Sequence, residues 1–447
     1  MKKNIPLLIL FFSIAISSHG QWSAIGNGFD GDVNAMCVFA NELYAAGNFT
    51  HNGSGTTSLN YIARWNGASW VAVGTGLGAN VTSLAVFNSE LYAAGDFTTA
   101  GGNSALRIAR WNGSTWSAAG AGFNNTARCL YVWNNELYAG GIFTMSGATT
   151  TSRIAKLSGG AWQPAGASPG PVNTIVAYNN ELYIGGYWYP PYVCKLNTTG
   201  TTPTWDDLPG SGPDNEVTSL AVFRKQSSSN IVLWIGGKFN TPSPRLCTWT
   251  SSGGFTTSFN NFNSAPGDVN TLLSTSSYLF AGGGFTATIP PSISKLGKYD
   301  GTSNWDSAGV LPNNDVIALA NFNGNLVIGG KFTSLGAVSA NRIAMRDYTL
   351  GIENENEAVL ANDFFPNPLS DHSLLRIQTK SSMRKPLLQV LDLCGREVST
   401  DIKTVSFDPF SHEIEFRIER SGLPAGIYFY LLSDQKINMA FGKFIVD

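Results

Sequence analysis

Leu43-Tyr44-Ala45-Ala46-Gly47-Asn48-Phe49-Thr50 returns as Leu91-Tyr92-Ala93-Ala94-Gly95-Asp96-Phe97-Thr98 and again as Leu137-Tyr138-Ala139-Gly140-Gly141-Ile142-Phe143-Thr144. Looser copies begin at Leu182, Leu233, Leu279 and Leu326. The last glycine of each copy stands at 47, 95, 141, 186, 237, 283 and 330, a period of 45 to 51 residues. Repetition at that length suits a unit of four short strands. In the second copy the pattern predicts strand A over 81–87, a tight turn at Asn88-Ser89, strand B over 90–97, and strand C over 107–111. A turn at Asn112-Gly113 and strand D over 115–119 complete the unit. Asn-Gly between two β-rich runs is a hairpin signal.

The ends of the repeat region sharpen this reading. The seventh copy stops after its third strand, 342–348, and lacks the Trp-bearing fourth. Gln21-Trp22-Ser23-Ala24-Ile25-Gly26 matches Thr115-Trp116-Ser117-Ala118-Ala119-Gly120, so the N-terminal segment can supply the missing strand. The expectation is an all-β chain whose residues 21–351 form a seven-bladed β-propeller closed by its N-terminal strand. Closure removes the open sheet edges that invite aggregation.

Composition agrees. The 447 residues include 43% hydrophobic side chains, 49 Gly and 12 Trp, but only 13% charged residues, about half the usual share. That excludes disorder for most of the chain and favours short strands over long helices. Net charge is −2 and no basic run exceeds two residues, which leaves no electrostatic footprint for nucleic acid or an anionic membrane.

Lys2 and Lys3 precede an apolar run from Ile5 to Ile16, and Ser18-His19-Gly20 offers small residues where a signal peptidase reads. Residues 1–20 therefore read as a signal peptide cleaved before Gln21. The run is too short to cross a bilayer as a helix, and no transmembrane segment is expected after cleavage. Five cysteines, Cys37, Cys129, Cys194, Cys247 and Cys394, form no CxxC and no even framework, so buried thiols are expected.

A second domain follows. Charged residues number 32 in 21–351 and 24 in the much shorter 352–447, and all twelve Trp precede the break. Residues 352–362, with Glu353-Asn354-Glu355-Asn356-Glu357, read as a solvated linker. Beyond it, alternating runs at 387–391, 412–418 and 428–432 predict a small immunoglobulin-like β-sandwich over 363–447.

Two resemblances add to this. Leu137-Tyr138-Ala139-Gly140-Gly141 and the paired Trp111 and Trp116 make 21–351 similar to kelch and galactose-oxidase-like propeller repeats. The tail resembles the C-terminal sorting domain of type IX secretion cargo. Its matching residues are Pro366-Asn367-Pro368, Gly395-Arg396, Gly426 with Tyr428, and Gly442-Lys443. This resemblance implies export through the periplasm, engagement of the type IX secretion machinery as a partner, and a secreted or outer-membrane-surface location.

Catalytic constellations are sparse. After signal removal only His51, His372 and His412 remain of the commonest acid-base side chain. Glu42, Glu90, Glu136 and Glu181 recur in one hairpin and read as solvated turn residues; Arg64, Arg110 and Arg342 read as products of the repeat. Asp30-Gly31-Asp32 is a weak calcium motif, and Asp306-Ser307-Ala308 resembles a bacterial O-glycosylation acceptor. No catalytic residue, metal or cofactor is assigned. The variable B–C loops carry more information. Tyr187, Trp188, Tyr189 and Tyr192 surround two prolines and offer aromatic faces to a sugar or an apolar side chain. The reading is a noncatalytic binding or adhesion module recognising glycan or protein. The alternatives are a carbohydrate-active enzyme with a loop-built site and a structural component of a surface layer.

Overall fold

The computed structural model describes residues 22–346, other than 201, 225–230, 258–266, 276, 288–292 and 302–304. In the tail it describes 359–365, 369–379, 386–391, 398–408, 413–434 and 437–446. The predicted signal peptide and most of the predicted linker lie outside these residues. The chain divides into two units, Gly20–Tyr348 and a C-terminal unit from Thr349.

Among the described residues, the first unit holds seven four-stranded antiparallel sheets, one per repeat. In blade 2 the strands are Val81–Phe87, Glu90–Gly95, Ile108–Trp111 and Trp116–Ala118, paired in that order. The A strands, Val33–Phe39, Val81–Phe87, Ala127–Trp133, Val172–Tyr178, Val217–Arg224, Val269–Ser274 and Val316–Phe322, pack one against the next around the ring. The last also packs on the first. Trp22–Ala24 pairs with Ile343–Arg346, in register Trp22 with Arg346 and Ala24 with Ala344, and so becomes strand D of blade 7.

Local chemistry explains the repeated residues. The A–B turns Ala40-Asn41, Asn88-Ser89, Asn134-Asn135 and Asn179-Asn180 have φ of +48° to +62° at both positions, the two-residue hairpin that Asn favours. The C–D turn differs from expectation. Trp111 pairs with Trp116, so the connection has four residues, and the Asn112 side chain organises it by accepting from Ser114 N and Thr115 N. The last glycine of each copy is required by a close approach. A Cβ at Gly47, Gly95 or Gly186 would lie 1.9, 2.2 or 2.0 Å from the carbonyl oxygen of Asp32, Asn80 or Pro171, just before strand A.

Two rings of hydrogen bonds join the blades. Every A strand carries a bulge at its second residue: Asn34, Thr82, Arg128, Asn173, Thr218, Asn270 and Ile317. From these positions Asn34, Thr82, Asn173, Thr218 and Asn270 donate to the first carbonyl of the next A strand. On the outer side, Nε1 of Trp70, Trp116, Trp162 and Trp205 donates at 2.9 Å to Ile25, Val73, Ala119 and Ala165 of the preceding blade.

The C-terminal unit is a sandwich. One sheet contains Val359–Phe365, His372–Thr379, Glu413–Glu419 and Ile402–Asp408; the other contains Pro386–Leu391, Gly426–Asp434 and Ile437–Val446. Leu375, Ile377, Phe416 and Ile418 from the first bury against Leu388, Val390, Tyr430 and Phe444 from the second.

Candidate binding face at the propeller rim

The B–C loops and the connections between blades share one end of the ring, where polar side chains pin them together. The Asp30 carboxylate accepts from Thr50 N, Thr50 Oγ1 and His51 N at 2.8–2.9 Å. Asn124, Asp214 and Asn313 repeat this latch on Thr144, Asn240 and Thr333. Burial pushes the Asp30 carboxyl up, but these hydrogen bonds outweigh it and hold the group below its ordinary value. His51 belongs to the latch, its Nδ1 3.4 Å from Asp30 Oδ2. Asp32 pairs with Arg342 at 3.3 Å, so both carboxylates of the weak calcium motif have protein partners. Among the described residues no cluster of three or more His, Cys, Asp or Glu has the geometry to hold a metal.

At the entry to strand C, every blade places a non-glycine residue in the left-handed region. These are Tyr61, Arg107, Arg153, Tyr192, Arg245, Lys295 and Arg342, with φ of +59° to +72°. Such a backbone costs about 1–3 kcal/mol and persists where its surroundings over-determine it. Here backbone bonds clamp both sides, as in Gly95 N to Arg107 O at 3.0 Å and Arg107 N to Phe97 O at 2.8 Å.

The side chains at this position build the rim. Arg245, Lys295 and Arg342 each donate to the carbonyl of the residue after the last repeat glycine in their own blade, Lys238, Gly284 and Lys331. Each also meets the acid before strand A of the next blade: Asp268 at 3.6 Å, Asp315 at 3.3 Å and Asp32 at 3.3 Å. Arg107 reaches the Asp96 carbonyl, while the Asp96 carboxylate accepts from Asn80 and Thr126. Glu216 is taken by Lys238 at 2.8 Å and Asn173 at 2.9 Å. Blade 3 breaks the pattern. Around Arg153 the two corresponding places hold Ile142 and Pro171, and its guanidinium has no hydrogen-bond or ion-pair partner among the described residues.

The arginines grouped together on sequence thus separate into two columns. Arg64 and Arg110 lie toward the opposite end of the ring, where they pair with Glu42 at 2.5 Å and Glu90 at 2.9 Å. Lys156 with Glu136 and Lys195 with Glu181 continue the series at 2.7 and 3.0 Å. The four glutamates are therefore half-buried members of one ion pair per blade, rather than free turn residues. Each such pair is worth about 0.2–1 kcal/mol.

The aromatic loop of blade 4 divides by role. Trp188 is two residues beyond Gly186, the column occupied in other blades by Phe49, Phe97, Phe143, Phe239, Phe285 and Phe332, all buried. Its ring accordingly turns inward, over Gly186 and against the blade core, with its Cβ over Gly170. Tyr187 and Tyr189 turn outward, 53% and 54% exposed. Tyr192 is half-buried, its ring 6.2 Å from that of Tyr187. The Asp207 carboxylate pushes the Tyr189 phenol up. Ser307 of the glycosylation-like motif is half-buried and already donates to Gly309 O at 2.8 Å.

Two family models match parts of the chain. One is the Rax2 C-terminal beta propeller domain, over residues 16–129; the other is the secretion system C-terminal sorting domain, over residues 363–447. The chain is a β-propeller followed by a secretion-system sorting domain. The sorting domain marks it as type IX cargo, placed at the cell surface or released. No curated protein is significantly similar to the chain. Among solved structures it is similar to "Structure of YjhT", with 12% identity, a TM-score of 0.36, and coverage of 79% of this chain and 98% of that one. It is also similar to Bacteroides ovatus Xyloglucan PUL GH43B, with 10% identity, a TM-score of 0.26, and coverage of 95% and 92%.

Within the sorting domain, the Tyr428 hydroxyl donates to Pro424 O at 2.9 Å and fixes the turn that leads into Gly426. Tyr428 stacks on Phe444, and the backbone at Gly442 and Lys443 pairs with Tyr430 and Phe429. Pro366, Asn367, Pro368, Gly395 and Arg396 lie outside the described residues. The sequence reading passed over Arg153 and Pro171. The signal that finds them is a pair of repeat columns compared position by position: Asn80, Thr126 and Pro171 all replace the acid before strand A, and of these Pro171 alone has no polar side chain to offer the cation facing it.

Proposed function

We propose that the propeller is a noncatalytic binding module, displayed or released by type IX export, whose ligand contact is the blade-4 loop. Export begins in this reading with removal of residues 1–20 and passage through the periplasm. The observation that carries the proposal is the outward pair Tyr187 and Tyr189 on a loop whose third aromatic, Trp188, anchors it to the blade core. Exposed aromatic faces on a rigid support suit the apolar face of a sugar ring or an apolar side chain on a protein surface. The test is binding of the secreted chain to an array of glycans and polysaccharides, repeated with Tyr187→Ala, Tyr189→Ala and Tyr192→Ala. Selective binding that the outward-facing substitutions remove supports the reading. Binding unchanged by all three moves the contact elsewhere, and no binding to any glycan turns the search to protein partners.

A further inference from the structure

Among the described residues, Arg153 is the rim cation that has neither a carboxylate nor a carbonyl partner; Arg107, which faces Thr126 where other blades hold an acid, still donates to the Asp96 carbonyl. Arg245, Lys295 and Arg342 each meet a carboxylate of the next blade, and Lys238 meets Glu216. Arg153 occupies the same position with the same left-handed backbone, yet Pro171 stands where the acid belongs. Arg128, at the bulge of the same blade, donates to the neutral Asn173 Oδ1 at 2.7 Å. Among the described residues, blade 3 therefore presents two guanidinium groups to this end of the ring without a carboxylate hydrogen-bonded to either.

The backbone next to Arg153 is linked to the aromatic loop through residues 168–171. Ser168 N donates to Ser152 O at 3.3 Å, and Ser168 Oγ donates to Gly170 O at 2.8 Å. Gly170 is covered by Trp188, and Pro171 O accepts from Tyr187 N at 3.0 Å. The four residues 168–171 thus join Arg153 on one side to Tyr187 and Trp188 on the other. The proline that removes the acid is the residue that holds Tyr187.

The geometry points to an anion-binding subsite between blades 3 and 4, with Arg153 pairing to a carboxylate or sulfate ester on a sugar ring whose face rests on Tyr187 and Tyr189. A guanidinium fits either group through two parallel N–H donors, and such charge-assisted bonds are the stronger kind. This inference rests on the blade-4 loop being the ligand contact, and it names the class of ligand: an acidic oligosaccharide.

The experiment measures binding of the full chain to three probes: oligogalacturonate, carrageenan oligosaccharide and neutral cellohexaose. The first carries carboxylates and the second sulfate esters, so the preferred anion is read directly. The proteins compared are the parent, Arg153→Gln, Arg153→Lys, Tyr187→Ala and, at the far end of the ring, Arg64→Gln. Because Arg153 has no hydrogen-bond or ion-pair partner among the described residues, its substitution should leave the melting temperature unchanged. The expected result is a preference for at least one anionic probe, weakened roughly tenfold or more by Arg153→Gln. Arg153→Lys should restore part of it, Arg64→Gln should leave it intact, and added salt should weaken it. Equal binding of cellohexaose and the anionic probes, or affinity within twofold of the parent for Arg153→Gln, overturns the proposal. If Tyr187→Ala abolishes binding while Arg153→Gln does not, the aromatic contact stands and the anion subsite falls. If none of the probes binds, the anionic-oligosaccharide proposal falls.

Discussion

Trp116→Phe should cost the propeller more than Trp22→Phe, although the two residues hold the same place in their blades. Both begin strand D, and they are 6% and 5% exposed, so the packing lost on removing the indole is closely matched. Their hydrogen bonds differ. Trp116 Nε1 donates at 2.9 Å to Val73 O of the preceding blade. The corresponding acceptor for Trp22 is Ala308 O, which instead accepts from Arg346 Nη1 at 2.5 Å, and Trp22 Nε1 is buried without a partner. Substitution at 116 removes a bond and strands a buried carbonyl, at about 1–3 kcal/mol, whereas substitution at 22 removes a donor that had already lost its water. For a unit of roughly 330 residues, with an unfolding entropy near 0.7 kcal/mol/K, that difference is about 1.5–4 °C in melting temperature. Trp fluorescence follows this unit alone, because all twelve Trp lie in it. Equal melting temperatures for the two variants, or a lower one for Trp22→Phe, would refute the idea that the indole bonds stitch the blades.

Other outcomes follow from the same geometry. Burial pushes the Cys37 thiol up to about 11 and Cys129 up to about 12, and Cys194 rises for the same reason with the Asp207 carboxylate beside it. The four described cysteines are free, so iodoacetamide at pH 8 should leave them largely unmodified in the native chain and label them all in denaturant without reductant, by intact mass. Asp30 and Asp214 have folded values below the ordinary 3.8, so their contribution to stability is present above that value and disappears as pH falls through the folded one. A thermal melt series from pH 5 to pH 3 should show this loss, with a shallower slope in Asp30→Asn. The effect will be modest, because the Asp30 side chain is 36% exposed and solvent screens it. Removal of 363–447 should abolish appearance of the propeller outside the cell, read by immunoblot of the medium and the surface fraction; undiminished export would contradict the sorting assignment.

Much of the fold was legible because its elements are local and repeated. Strand A of blade 2 falls where the pattern placed it, the Asn-rich A–B turns follow from backbone preference, and Trp22–Ala24 closes the last blade as the match to Trp116–Ala118 required. The glycine columns were visible as repetition, but their cause, contact with a carbonyl of the neighbouring strand, was not. The Asn112-Gly113 turn misled on length, since the Trp111–Trp116 pair demands a four-residue connection. Trp188 looked like part of an aromatic surface until the ring geometry showed that it fills the column of a buried Phe.

By itself the sequence determined the unit, the order of its strands, the closing segment and the sorting domain, because each depends on residues near one another or on direct repetition. The tertiary structure decided which side chains meet across blade boundaries. The carbonyl that each indole reaches, the acid that each rim cation meets and the isolation of Arg153 depend on how one blade is rotated against the next. That rotation is set by inner-strand packing around a closed ring, and side chains from different blades, such as the Trp116 and Trp162 indoles and the carbonyls 43 residues before them, have no local pattern to announce their meeting.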